Sequence, residues 1–143
     1  MAVIHMVNNL KELFPDYVLL LKIGTFYECY CDDANIVSYL FSYKRKTLSS
    51  GDKVCGFPLV SYHKVISNLE NRNINYISID KAHNYEEIDK VNYKKKNQYH
   101  VILDKANYSI NNLERIDKIK NFLLKDNSKI DEIERLCLLL IKC

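Results

Sequence analysis

Few side chains in this 143-residue sequence stand at spacings that suit catalysis or metal binding. Asp32 and Asp33 are adjacent carboxylates, a pair that can serve acid/base work or hold a cation. Their place just before an apolar periodic stretch fits another task better, capping a helix and favouring its dipole. The four histidines, His5, His63, His83 and His100, have neither ligand spacing nor triad spacing. Five cysteines (Cys29, Cys31, Cys55, Cys137, Cys143) make an odd set without C-x-x-C, so they read as reduced thiols rather than a disulfide framework or a zinc site. These patterns predict a protein that is not an enzyme and carries no metal or cofactor. Two basic clusters remain, Lys44-Arg45-Lys46 and Lys94-Lys95-Lys96, which either meet phosphate or form solvated surface. A net charge of only +3 does not decide between them.

The elements that must position these residues follow from periodicity. Hydrophobic residues at 48% and charged residues at 27% are globular proportions. The longest apolar run, Leu136 to Ile141, is too short to span a bilayer, and no leader pattern opens the chain, so a cytoplasmic protein without membrane partners is expected. Val3, Met6, Val7, Leu10 and Leu13 recur at helical intervals before Pro15. Residues 17–23 and 26–31 read as strands joined by a turn at Gly24-Thr25, and a helix follows with Asp32 or Asp33 as its cap. Residues 43–48 and 53–57 flank a turn-rich link and suit a hairpin. Ser61 suits the N-cap of a helix that buries Val65, Ile66 and Leu69, and residues 75–80 alternate as a strand. From about Asn84 helical periodicity takes over, with Ser109 and Ser128 as caps of two or three helices. The expected architecture is α/β, a mixed sheet flanked by helices over residues 1–83, with a mainly helical extension over 84–143.

The segment from Phe14 to Ala34, with Pro15-Asp16, Leu19-Leu20-Leu21, Ile23-Gly24-Thr25-Phe26-Tyr27-Glu28 and Asp33-Ala34, is similar to the start of the mismatch-recognition domain of the MutS family of DNA mismatch-repair proteins. There a P-[DE]-x₂-L-L-[LF]-x-[VIM]-G-x-F-Y-E-x-[FY]-x-x-D-A pattern joins the first two strands. Cys55-Gly56-Phe57-Pro58 resembles the family's G-[IV]-P segment, so the likeness runs in order over about the first 80 residues. The resemblance implies that Phe26 wedges into duplex DNA from the minor groove and stacks on a mispaired base, while Glu28 hydrogen-bonds that base. The physics is consistent: a mismatch lowers the cost of unstacking, and an inserted ring replaces lost base stacking. Residues i and i+2 of a strand share one face, so the two side chains can reach one site. The competing reading packs Phe26 in the core and leaves Glu28 as an ordinary polar side chain in water.

Three departures bear on DNA contact rather than on fold. Thr25 stands where the family commonly has an acidic residue, Leu59-Val60 where Tyr-His usually follows the proline, and Asp80-Lys81 where Glu-Gln is usual. The sequence contains no G-x-x-x-x-G-K-[ST] phosphate loop, so a stand-alone module without ATPase activity is expected. Its expected partner is duplex DNA with a mismatch or unpaired base, read by Phe26 and Glu28, with Lys44, Arg45 and Lys46 on phosphates. The alternative is a protein-interaction module on the same fold that has lost DNA binding. In that case residues 130–143, whose apolar positions exceed one helical stripe, dock a partner or a second copy.

Overall fold

The computed structural model describes residues 3–125 and 127–142. Helix α1 (Val3–Leu13) leads into β1 (Val18–Ile23) and β2 (Phe26–Tyr30), followed by α2 (Asp32–Phe41), β3 (Arg45–Thr47) and β4 (Lys53–Pro58). Next come α3 (Tyr62–Asn71), β5 (Tyr76–Asp80), β6 (Glu86–Val91), α4 (Tyr99–Lys125) and α5 (Ile130–Lys142). The strands form one mixed sheet in the order β3-β4-β2-β1-β5-β6. Only β1 and β5 run parallel, joined through the intervening elements; all other neighbours are antiparallel. The α/β class and the helical C-terminal segment agree with the sequence reading.

The central strand explains its own composition. Val18 to Leu21 are all buried because β1 has a covered surface on both sides, which is why the run is continuously apolar rather than alternating. Val18 and Leu20 join Tyr27, Cys29, Cys55 and Phe57 under α2, α3 and the start of α4. Leu19 and Leu21 join Tyr30, Val54, Ile77 and Ile79, with Val7 and Leu10 of α1 packed against them. Each of the inner strands β1, β2, β4 and β5 thus divides its buried residues between two cores at period two.

Asp33 does not cap α2. Cys31 holds the N-cap position, and Asp33 is 1% exposed inside the first turn. Its carboxylate accepts hydrogen bonds from the Leu19 N–H (3.1 Å), the Tyr99 hydroxyl (2.7 Å) and Lys11 Nζ (3.1 Å). Lys11 Nζ also donates to the Tyr17 carbonyl at 2.5 Å. One carboxylate therefore ties α1, β1, α2 and α4 together, a task invisible to a local capping pattern because its partners lie up to 66 residues away.

Two further expectations differ from the structure. Glu86–Val91 forms a strand within the segment read as helical; as an edge strand with five exposed residues it lacks the apolar alternation that announces a strand. Ser109 lies inside α4 rather than capping a helix, since no glycine or proline interrupts Tyr99–Lys125 and the helix propagates through it. Ser61 does occupy the N-cap position of α3, without a side-chain cap bond. The chain divides into two compact units, Met1–Tyr108 and Ser109–Cys143.

Candidate functional site

β1 and β2 are joined by Gly24-Thr25, with Ile23 opposite Phe26. Gly24 takes a φ of +58°, the left-handed conformation that glycine adopts without a Cβ penalty. This tight connection puts Phe26 at the very start of β2, where its ring is 49% exposed. Tyr27, on the opposite face, is buried and stacks between Phe57 and Tyr62, with centroids 5.6 and 4.5 Å away. The core reading thus belongs to Tyr27, and Phe26 is the ring left for solvent.

Glu28 lies on the same face as Phe26, directly across from Gly56 of β4. Its Oε2 accepts a short hydrogen bond from the Tyr30 hydroxyl, the next residue on that face. Burial and that bond push the Tyr30 hydroxyl well above its ordinary range, so it stays protonated and keeps donating. Glu28 is held in one rotamer with acceptor capacity to spare, since a carboxylate offers about four lone-pair sites.

Phe26 and Glu28 open on a cleft of about 480 Å³ shared with Ser42, Tyr43, Lys44, Lys46, Val54 and Gly56. α2 ends in Ser42, whose φ of 60° turns the chain, and Ser38 Oγ donates to the Tyr43 carbonyl at 2.7 Å. The Tyr43 ring stacks on Phe41 and Phe57 at 5.5 and 5.9 Å, anchoring the segment that carries Lys44. Lys44 and Lys46, two residues apart, reach the cleft together, and both are exposed. Arg45 turns the other way: its Nη1 donates to Asn35 Oδ1 at 2.7 Å, and it does not line the cleft. Four of the five residues singled out from the sequence therefore share one concavity, with two cations beside one carboxylate. That combination suits a polyanion from which a planar, hydrogen-bonding group can be extruded.

Sequence reasoning missed two contributors, Tyr30 and Gly56, and noted Leu59-Val60 only as a departure from the family pattern. Tyr30 orients Glu28, and the i, i+2, i+4 series Phe26, Glu28, Tyr30 was the available signal. Gly56 forms the floor opposite Glu28; a Cβ there would make only ordinary contacts, 3.5 Å from the Tyr27 carbonyl oxygen and 3.8 Å from Glu28 Cγ, so the fold does not demand glycine and its bare backbone leaves the cleft open. Val60 is 90% exposed on the 3-10 turn Leu59–Ser61, which is bonded to the β1–β2 connection through the Leu59 N–H and the Thr25 carbonyl at 3.1 Å. Only register brings that turn beside Phe26.

The remaining candidates lie apart. All four histidines are exposed, and His83 Nδ1 sits 2.7 Å from Asp80 Oδ2. Cys29 and Cys55 are buried and face each other across β2 and β4; burial raises both thiol pKa values, Cys55 to about 11. Among the described residues no group of three or more His, Cys, Asp or Glu side chains could hold a metal ion, and no helix is long and apolar enough to cross a membrane.

A sequence model of the family described as MutS domain I matches residues 1–102. A DNA mismatch repair protein MutS from Chlorobaculum parvum is 43% identical over 54 residues, covering 35% of this chain and 6% of that protein. Proteins of the same description from Leptospira interrogans serovars copenhageni and Lai are each 34% identical over 62 residues, covering 43% of this chain and 7% of theirs. The chain thus matches under a tenth of the length of these relatives.

Proposed function

The chain belongs to the MutS domain I family, and from that premise we propose that it is a non-catalytic module that binds duplex DNA where a base is mispaired or unpaired. Phe26 is the wedge and Glu28 the reader of the exposed base edge. The observation that carries the reading is the half-exposed Phe26 ring on one strand face with a Tyr30-oriented Glu28, at the mouth of a cleft bearing Lys44 and Lys46.

The energetics follow from the geometry. A carboxylate next to phosphate is repelled; Lys44 and Lys46 offset that repulsion and set the strand's path along the cleft. Inserting Phe26 unstacks a base step at a cost of a few kcal/mol, lowest where pairing is already lost, so preference for a mismatch arises from the DNA's own weakness. Glu28 then accepts from a base N–H that its lost partner leaves free. Arg45, bonded to Asn35 on the other side of β3, braces the hairpin rather than touching phosphate.

Titration of the protein against matched duplex, a G·T duplex and a duplex with one unpaired base, at low salt, tests this. Tighter binding of the two defective duplexes is expected, with the difference erased in Phe26→Ala. Equal affinity for all three refutes it.

A further inference from the structure

We propose that the second compact unit is a self-association surface whose occupant is the same unit of a second copy of this chain. This goes beyond the DNA reading and does not depend on it. In Ser109–Cys143 the last turns of α4 and the first two turns of α5, through Ile130, Ile133 and Cys137, flank a groove of about 490 Å³ that is almost wholly apolar. The groove is not filled from within the unit: Ile116 and Ile119 on its wall are 58% and 54% exposed, and Leu124 is 71% exposed. On α5, Leu136, Leu139 and Leu140 are 55%, 56% and 76% exposed. Ten large apolar side chains of this unit are more than a third exposed among the described residues.

Area and charge both select a second copy. The exposed parts of these ten side chains, which lie along the groove and around α5, amount to on the order of 900 Å² of apolar surface. It matches the ~800 Å² that each partner contributes to a standard interface. The balance of charge differs between the two helices: in the last turns of α4 Arg115, Lys118, Lys120 and Lys125 outnumber Glu114 and Asp117, while in the first turns of α5 Asp131, Glu132 and Glu134 outnumber Arg135, with Glu132 also 3.8 Å from Lys129. Under two-fold symmetry the same patch meets itself, so α4 of one copy against α5 of the other sets basic turns on acidic ones twice. A nucleic acid would leave the acidic turns of α5 facing phosphate. A membrane surface favours a helix whose polar face is basic throughout, which α5 lacks.

The experiment is sedimentation velocity of the full chain across a concentration series, without DNA. A monomer–dimer equilibrium is expected in the wild type. Leu136→Glu and, separately, Ile119→Glu are each expected to weaken it at least ~30-fold, as truncating a central interface side chain does. Because a glutamate on an apolar face can also unwind a helix, charge-reversed chains supply an independent reading. One carries Lys118→Glu with Lys120→Glu, the other Asp131→Lys with Glu134→Lys. Each alone is expected to dimerise more weakly than wild type, and their equimolar mixture to regain dimerisation, which intramolecular pairing cannot produce. A wild type that stays monomeric up to roughly 100 µM, where even weak dimers populate, overturns the proposal. So do glutamate variants that dimerise as the wild type does, or a mixture no better than its components.

Discussion

Two carboxylates on neighbouring elements of the first unit have opposite circumstances. Asp33 is 1% exposed and accepts from a backbone N–H, a tyrosine hydroxyl and a lysine. Glu28 stands at a cleft with one donor among the described residues, Tyr30. Burial raises the Asp33 pKa although Lys11, Tyr99 and the Leu19 N–H all favour the anion, so desolvation is the larger effect. A buried carboxylate persists only because every partner is in place; a half-exposed one with vacant lone pairs is free to bind something else. The comparison separates a residue that holds the fold from one that the fold presents.

The largest expected effect is therefore on stability. Asp33→Ala strands the Tyr99 hydroxyl, the Leu19 N–H and the Lys11 ammonium, and should cost about 3–5 kcal/mol in denaturant unfolding, the scale for breaking a buried ion pair. Glu28→Ala removes one hydrogen bond and should cost only about 1 kcal/mol. Equal losses would erase the distinction between the two.

Next in size is an effect on binding alone. Gly56 has no positive φ, and a Cβ there makes ordinary contacts, so Gly56→Val fills the cleft opposite Glu28 while suiting a strand. Thermal melting should hold or rise, while affinity for a mismatched duplex should fall roughly tenfold, the size of one lost base–aromatic stack. A folded valine variant with undiminished affinity would show that DNA does not use this cleft.

The smallest effect is a third carboxylate that contrasts with both. Asp80 accepts from His83 Nδ1 and from the Ala82 N–H at the end of β5, and these bonds, the His83 bond most of all, hold its pKa below the ordinary aspartate value of 3.8. A lowered folded-state pKa means stability that is present above pH 3.8 and lost as pH falls through the lower, folded value. Asp80→Asn should thus melt slightly below wild type at neutral pH, with the gap closing on acidification below 3.8. A gap that widens instead would reverse the assignment.

How much of this was legible beforehand depended on the range of the interaction involved. α1, the hairpin of β1 and β2, and β5 followed from apolar spacing and from Gly24, all local signals. Phe26 and Glu28 were recognisable through a motif and their i, i+2 spacing, and Lys44 and Lys46 as a basic run. β6 was not, because an exposed edge strand carries charge where the pattern looks for alternation. Asp32 or Asp33 was read as the cap because an aspartate before a helix has a good local explanation, whereas both lie in the first turn behind Cys31 and the distant donors that hold Asp33 leave no local trace.

The sequence alone determined which residues are paired by strand face: Phe26 with Glu28, and Tyr27 with Cys29 on the opposite side, since a strand's period of two leaves no other choice. Tertiary structure decided which face became core and which became cleft. That depended on α1 covering the sheet over β1 and β5 while leaving Phe26 and Glu28 uncovered, on β4 bringing Gly56 rather than a side chain against Glu28, and on Arg45 finding Asn35. Burial is set by what packs across the gap, and residues many positions apart in the chain supply it.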